Sequence, residues 1–284
     1  MQALNIIGVG KLGRTLARLA AASGKYRLQD CVARSAASAQ TAVDFIGAGR
    51  ACSQLAEVRP AALTLLAVPD DAIAATARAL ADRGAVLPGA VVFHASGAAE
   101  AEVLAVLRNA GAHVASLHPA FSFAEPARAV ESFTGTLCGL EGDAAALPLM
   151  LEFAAAIGAQ PFALAPGGKA AYHAALSVAS NYLVTLTAMA RQLALQGGVD
   201  EAVLPALLGP LMQGSLANAL ALGPQAALTG PIVRGDAATV GRHLAVLPPD
   251  LQPVYRTLGE RTVALAGERL PDEARQRLLA LLQG

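Results

Sequence analysis

The chain has 284 residues, 55% of them apolar and only 15% charged, with 21 basic residues set against 21 acidic ones. Zero formal charge and the absence of Lys/Arg runs exclude a basic nucleic-acid surface. Three widely spaced cysteines without a C-x-x-C offer neither a disulfide framework nor a zinc site, and no metal centre is expected. The first residues, Leu4-Asn5-Ile6-Ile7, read as a buried strand, so no signal peptide is expected. Gly8-Val9-Gly10-Lys11-Leu12-Gly13 follows, and Thr15–Ala22 reads as a helix. A G-x-G-x-x-G between strand and helix predicts a dinucleotide site. Gly8 makes the tight turn, Gly10 admits a pyrophosphate to the backbone, and Gly13 lets helix and strand pack closely. The helix N-terminus supplies free N–H groups and partial positive charge for the phosphates.

The first half continues in strand–helix alternation. Arg27–Ala33 predicts a strand, Ala36–Ile46 a helix, and a short strand falls near Ala51. The continuous apolar run Ala62–Val68 predicts a central parallel strand, with a helix from Pro69-Asp70-Asp71 to about Ala81. Ala90–Phe93 is the next strand, then a helix Ala99–Asn109 and a strand His113–Leu117. Thr136–Leu140, a helix Ala144–Ile157 and Pro161–Leu164 close the first domain. The fold class is therefore α/β, a doubly wound parallel Rossmann sheet with right-handed crossovers, followed by an all-α C-terminal domain. The junction is placed at Pro166-Gly167-Gly168, giving a binding domain over residues 1–165 and a helical substrate and dimerisation domain over 166–284. In the second, a long helix runs from about Lys169 to Gln196. Asp200 caps another that breaks near Gly209-Pro210, and further helices follow Pro224, Asp236, Pro249 and Asp272. Ala170–Ala190 carries no formal charge but is too rich in Ser, Thr, Asn and His for a membrane span. It reads as a helix buried in protein, and the whole as cytoplasmic, with no membrane partner.

Ligands of such sheets bind beyond the carboxyl ends of the strands, so the residues there carry the function. Val68, Pro69 and His94 join the glycine loop as candidate cofactor contacts. After the second strand, where an acid would hold the ribose of NAD, stand Arg34 and Ser35, which suit a 2′-phosphate by charge and hydrogen bonding. NADP is therefore expected in preference to NAD, with Asp30, inside the strand, as the competing NAD ligand. Ser96 and Gly97 follow the central strand and are expected to line a small-molecule substrate site. His118 is a candidate proton or hydrogen-bond donor. Lys169 and His173, four apart, share a helix face that continues through Ser177, Ser180 and Asn181. A partly desolvated lysine there has the lowered pKa that proton transfer requires. Arg234, in Leu228-Thr229-Gly230-Pro231-Ile232-Val233-Arg234-Gly235-Asp236, is a candidate for an anionic substrate, or else pairs with a carboxylate that fixes the turn.

These motifs resemble the 6-phosphogluconate-dehydrogenase-like superfamily, which includes β-hydroxyacid dehydrogenases and pyrroline-5-carboxylate reductases. Ser96-Gly97 and Gly167-Gly168-Lys169 match the serine-glycine turn and lysine helix of the hydroxyacid dehydrogenases, but His173 stands where those have asparagine, and Asn181 comes too late to replace it. A closer resemblance is to Rossmann-like proteins with a helical domain of unknown function, through His94-x-Ser96-Gly97, Leu117-His118-Pro119, Tyr172-His173, Ser180-Asn181-Tyr182 and the Leu228–Asp236 stretch. The resemblance implies an NADP-dependent oxidoreductase acting on a small carbonyl, hydroxy-acid or imine compound, with Lys169, His173, His118, Ser96 and Asn181 as the catalytic set. A non-catalytic NADP sensor is the alternative.

Overall fold

The structure, a computed structural model, describes all 284 residues. They form two compact units, Met1–Ser180 and Asn181–Gly284. The Gly167-Gly168 turn, expected as the junction, lies inside the first unit, and Lys169 just after it is buried there.

The first unit is built on β1 (Gln2–Ile7), α1 (Lys11–Ala22), β2 (Tyr26–Val32), α2 (Ala36–Ile46), β3 (Arg50–Cys52), β4 (Leu63–Leu66), α3 (Asp70–Asp82) and β5 (Val91–His94). It continues with β6 (His113–Pro119), α4 (Pro126–Ser132), β7 (Leu137–Gly142), α5 (Leu147–Ala156), β8 (Gln160–Ala163) and α6 (Lys169–Ser177). The eight strands lie in the order β3-β2-β1-β4-β5-β6-β7-β8. All neighbours are parallel except β6 and β7, so the sheet is mixed rather than wholly parallel. The helix α4 between β6 and β7 is short, and the chain returns antiparallel, with Ser116 opposite Glu141.

Alternation along the strands sends successive side chains to opposite faces. Leu4 and Ile6 pack under α1, α2 and α5 with Leu16, Ile46 and Phe153. Ile7, Leu66, Val92 and Val114 pack under α3 with Ile73 and Leu80. The segment Ala101–Ala110 on that second face is a 3₁₀ helix instead of the α-helix expected. Its buried residues Ala101, Leu104 and Leu107 recur every third position, which aligns them at three residues per turn.

A π turn over Val178–Tyr182 carries the chain from the first unit into the second, where α7 (Leu183–Gln196) follows. Then come α8 (Leu204–Leu222), α9 (Pro224–Ala227), α10 (Ala237–Val246), α11 (Gln252–Ala266) and α12 (Asp272–Gln283). Asp200 does cap, through the Ala202 N–H at 2.8 Å, but α8 does not break at Pro210. Pro210 and the residue whose carbonyl it leaves free, Ala206, are both exposed, so water takes the lost hydrogen bond. The core here gathers α10, α11 and α12 around Val240, Val263 and Leu278. The stretch Ala170–Ala190, expected to be buried, is instead mostly exposed; only the C-terminal part of α7, with Met189 and Leu193, packs on the core of the second unit. The segment long and apolar enough to cross a membrane is a different one, Glu201–Leu222, with mean hydropathy 1.2 and only 6% of its most apolar stretch buried.

Asp30 is fully buried and accepts hydrogen bonds from the Arg50 guanidinium at 2.9 Å, the Arg59 guanidinium at 2.7 Å and the Arg59 N–H at 2.8 Å. Burial alone would raise its pKa, but the bonds from Arg59 and Arg50 outweigh it and hold the carboxyl below its ordinary value. With the folded pKa depressed, the stabilisation is full above the unfolded carboxylate value of about 4 and is lost as pH falls through the folded one. Asp30→Asn is therefore expected to cost roughly 1–3 kcal/mol in urea unfolding at pH 7. The gap to the wild type should close below about pH 4, and a gap constant across that range would remove Asp30 as its source.

Candidate functional site

Gly8 has φ +97°, and a Cβ there would stand 2.5 Å from the Ala67 carbonyl oxygen. A Cβ on Gly13 would collide with the Gly8 carbonyl. Both glycines are thus required by the close approach of α1 to β1 and β4. Gly10 is different: its φ of −63° suits any residue, and a Cβ there would meet nothing within 4 Å. The protein itself gives no reason for a glycine at position 10, and the space in front of it is what a pyrophosphate would fill. The helix α1 also has no side-chain cap and no acidic residue in its first turn, so its leading N–H groups face an open cleft.

That cleft encloses about 820 Å³, within the range of small-molecule and cofactor sites. Its walls include the Gly8–Gly13 loop, Arg34, Val68 and Pro69, expected as cofactor contacts, Ser96, expected at the substrate site, and Ala33, Arg14, Ser38 and Asp70, which the sequence reading did not single out. Lys11, Arg14 and Arg34 set three cations against the single carboxylate of Asp70. Ser35 is not on the wall. Its hydroxyl caps α2 by accepting the Ser38 N–H at 3.2 Å and donates to the Ser38 hydroxyl, which does face the cleft. Asp30, the competing NAD ligand, is consumed by its two arginines.

At the ends of β5 and β6 the expected residues converge unevenly. His94 is fully buried. Nε2 donates to the Glu100 carbonyl at 3.2 Å, and Nδ1 accepts the Ser96 N–H at 3.1 Å. Burial, then the nearby Lys169 charge, push its pKa down to about 4. It is a neutral brace for the turn and does not reach the cleft. Ser96 Oγ accepts from the N–H groups of Ala98 and Ala99 and donates to Asp70 Oδ2 at 2.8 Å. Lys169 is also fully buried, and its ammonium donates to the Ser96 carbonyl at 2.7 Å and to Ser116 Oγ. Desolvation lowers its pKa to about 8, against the pull of Glu141, Glu100 and Asp70.

His118 and His173 are half-buried, with ring centroids 5.8 Å apart. His118 Nδ1 lies 3.1 Å from the Tyr172 hydroxyl. Burial, then Lys169 and His173, lower the His118 pKa to about 4, so it is neutral at pH 7. Both imidazoles press on Gly97, where a Cβ would stand 2.8 Å from His118 Nε2 and would collide with His173 Cδ2. Ser116, Tyr172 and Glu141 complete this cluster. Two of them were within reach of pattern reading: Ser116 shares a strand face with His118, and Tyr172 shares a helix face with Lys169. Ser177 is half-buried, while Asn181 and Arg234 belong to the second unit and are exposed. Arg234 forms no ion pair, so the carboxylate partner weighed for it is absent; Asp236 caps α10 through Thr239 instead.

The two kinds of glycine separate in a stability measurement. Gly13→Ala forces backbone apart and is expected to cost about 1–3 kcal/mol in chemical denaturation. Gly10→Ala loses only some of a cap, about 1 kcal/mol or less. Equal losses would mean that Gly10 is also there for packing.

Residues 2–119 match the Rossmann-like domain family, and residues 136–262 match the domain of unknown function DUF2520. A comparison with curated proteins gives no match. Among solved structures, a candidate NADP oxidoreductase from Bacteroides fragilis is 21% identical, with 93% of this chain and 97% of that one covered and a TM-score of 0.77. Protein TM1727 from Thermotoga maritima is 29% identical over 99% and 98% of the two chains, with a TM-score of 0.63. The imine reductase of Bacillus cereus shares the fold at 16% identity over 100% and 92%, with a TM-score of 0.54. The chain is thus similar to a Rossmann-like domain over its first part and to DUF2520 over most of the rest.

Proposed function

We propose that the protein is an NADP-dependent oxidoreductase that moves a hydride to or from a small carbonyl, hydroxy-acid or imine compound. The observation that carries this reading is the open space at Gly10, faced by uncapped N–H groups and three cations. It is the one feature of the glycine loop that packing leaves unexplained. The neighbours whose names include NADP oxidoreductase and imine reductase support the reaction class. The nicotinamide supplies the hydride chemistry when bound. The loop and α1 would bind the pyrophosphate, while Arg34 and the Ser38 hydroxyl would take a 2′-phosphate. The Ser96-Gly97 turn, His118 and His173 would orient the substrate and hold or accept its proton.

Arg34→Glu is expected to weaken NADPH binding by roughly 1–3 kcal/mol, the scale of a charge-assisted hydrogen bond, and to affect NADH much less. Calorimetry that shows equal losses for both cofactors would remove the 2′-phosphate role. A screen of small ketoacids, imines and hydroxy acids with NADPH then tests turnover. The burial of Lys169 favours one other reading, a sensor that binds NADP without catalysis. Retained NADPH affinity with no turnover across the screen would select it.

The exposed apolar side chains of the second unit support a homodimer formed through that unit. Leu207, Leu211, Leu216, Leu220 and Leu222 all lie exposed on α8, and such surface on one chain calls for a partner. Light scattering at micromolar concentration should return twice the chain mass. A monomer, or a protein recovered only with detergent, would refute the dimer.

A further inference from the structure

The chain has three lysines. Lys11 and Lys25 are exposed, and Lys169 is the one that is sealed. The acceptors of Lys169 are fixed by the sheet. His94 on β5, Ser116 on β6 and Glu141 on β7 are neighbours in register, forming a polar row across three strands. The ammonium lands on Ser116 in the middle of that row and on the Ser96 carbonyl, two residues past His94. Glu141 is itself engaged, accepting the Ala101 N–H at 2.5 Å, and Glu100 accepts the Lys169 N–H at 3.3 Å. The side chain therefore runs as a strut from the first residue of α6 into the ends of two strands. The carbonyl it holds is bonded to Gly97 N, and Gly97 is the surface against which His118 and His173 rest.

We propose that Lys169 is a positioning residue: its ammonium draws the Ser96-Gly97 turn into place, and the turn sets His118 and His173 as the groups that meet the substrate. The meeting with substrate rests on the oxidoreductase reading, but the role of the strut does not. The departure from a lysine-asparagine helix falls into place. With the lysine withdrawn, the residue one turn later is a histidine that reaches Gly97. The charge matters as well as the tie. The groups facing His118 are Lys169 and His173, which lower its pKa, Asp70 from α3, which raises it, and the Tyr172 hydroxyl. Those facing Lys169 are Glu141, Glu100 and Asp70. Burial first, and then the positive charge behind the ring, hold the His118 pKa down.

Two measurements test this without a known substrate. The first is reductive methylation of the wild-type protein, with and without NADPH. Lys11 and Lys25 should react quickly and Lys169 slowly in both states. Rapid reaction of Lys169 in the free protein, suppressed by NADPH, would show a lysine that faces the cleft and overturn the proposal. The second is an NMR titration of the imidazole C–H signals, with His118 assigned through His118→Gln. In Lys169→Met the His118 midpoint should rise by on the order of one pH unit. In Ser116→Ala, which loses one tie but keeps the charge, it should stay near its wild-type value. An unmoved midpoint in a folded Lys169→Met protein also overturns the proposal. If that variant does not fold, the methylation result decides alone. Failure of the wild type to bind NADPH would sink the oxidoreductase reading and leave both tests of the strut intact.

Discussion

The approach of α1 to the sheet governs the rest of the first unit. At Gly8 and Gly13 backbone meets backbone, with no room for a Cβ on either residue. That contact fixes where the helix N-terminus lies, and hence where β1 and β4 open into a cleft. The strand order β3-β2-β1-β4-β5-β6 then reverses direction between β1 and β4. A crevice at such a reversal is where sheets of this kind take ligands. Everything that lines the cleft is carried there by this one arrangement: Arg34 by the end of β2, Pro69 by the end of β4, and Ser96 by the end of β5.

Most of the fold was legible because most strands and helices announce themselves by their apolar period and their glycine or proline ends, though the short α4 was not. Ala62–Val68 could only be a central strand, and Gly47 and Gly111 stop the preceding helices in left-handed turns. The antiparallel step at β7 was not legible. Nothing in Thr136–Leu140 says in which direction the strand runs, since both directions bury the same alternate residues. The continuity of α8 through Pro210 was hidden for a similar reason. Proline's cost depends on whether water can reach the carbonyl it frees, and exposure is a tertiary property.

The site was half legible. Position at a strand end drew attention to Arg34 and Ser96, which line the cleft, and to His118, which lies against Gly97, but it could not tell a side chain that faces the cleft from one that turns back into the protein. His94, Ser35 and Lys169 turn back. Each has its polar atoms taken by nearby backbone or hydroxyl groups, and those partners are set by cross-strand register and turn geometry that the sequence does not print. Ser38 is the converse case. It faces the cleft because Ser35, one helical turn earlier, has taken the capping role.

Two buried charges show how the same chain uses the low dielectric of its interior in opposite ways. Asp30 sits in β2 with two guanidinium partners on one carboxylate, so its charge is held firmly and its pKa falls. Lys169 sits behind β5 and β6 with neutral acceptors as its nearest partners, while its carboxylates are farther off or bound elsewhere, so its charge is held less firmly and its pKa falls too. For an acid a lowered pKa means a stabilised ion, and for a base it means a destabilised one. Asp30 is therefore committed to structure. It leaves the end of β2 without an acid, which lets Arg34 give the cleft its positive wall. Lys169 keeps its proton near neutral pH by a narrower margin, and its field adds to burial in lowering the pKa of His118. The first burial ties a carboxylate into the sheet, and the second helps hold the His118 pKa down.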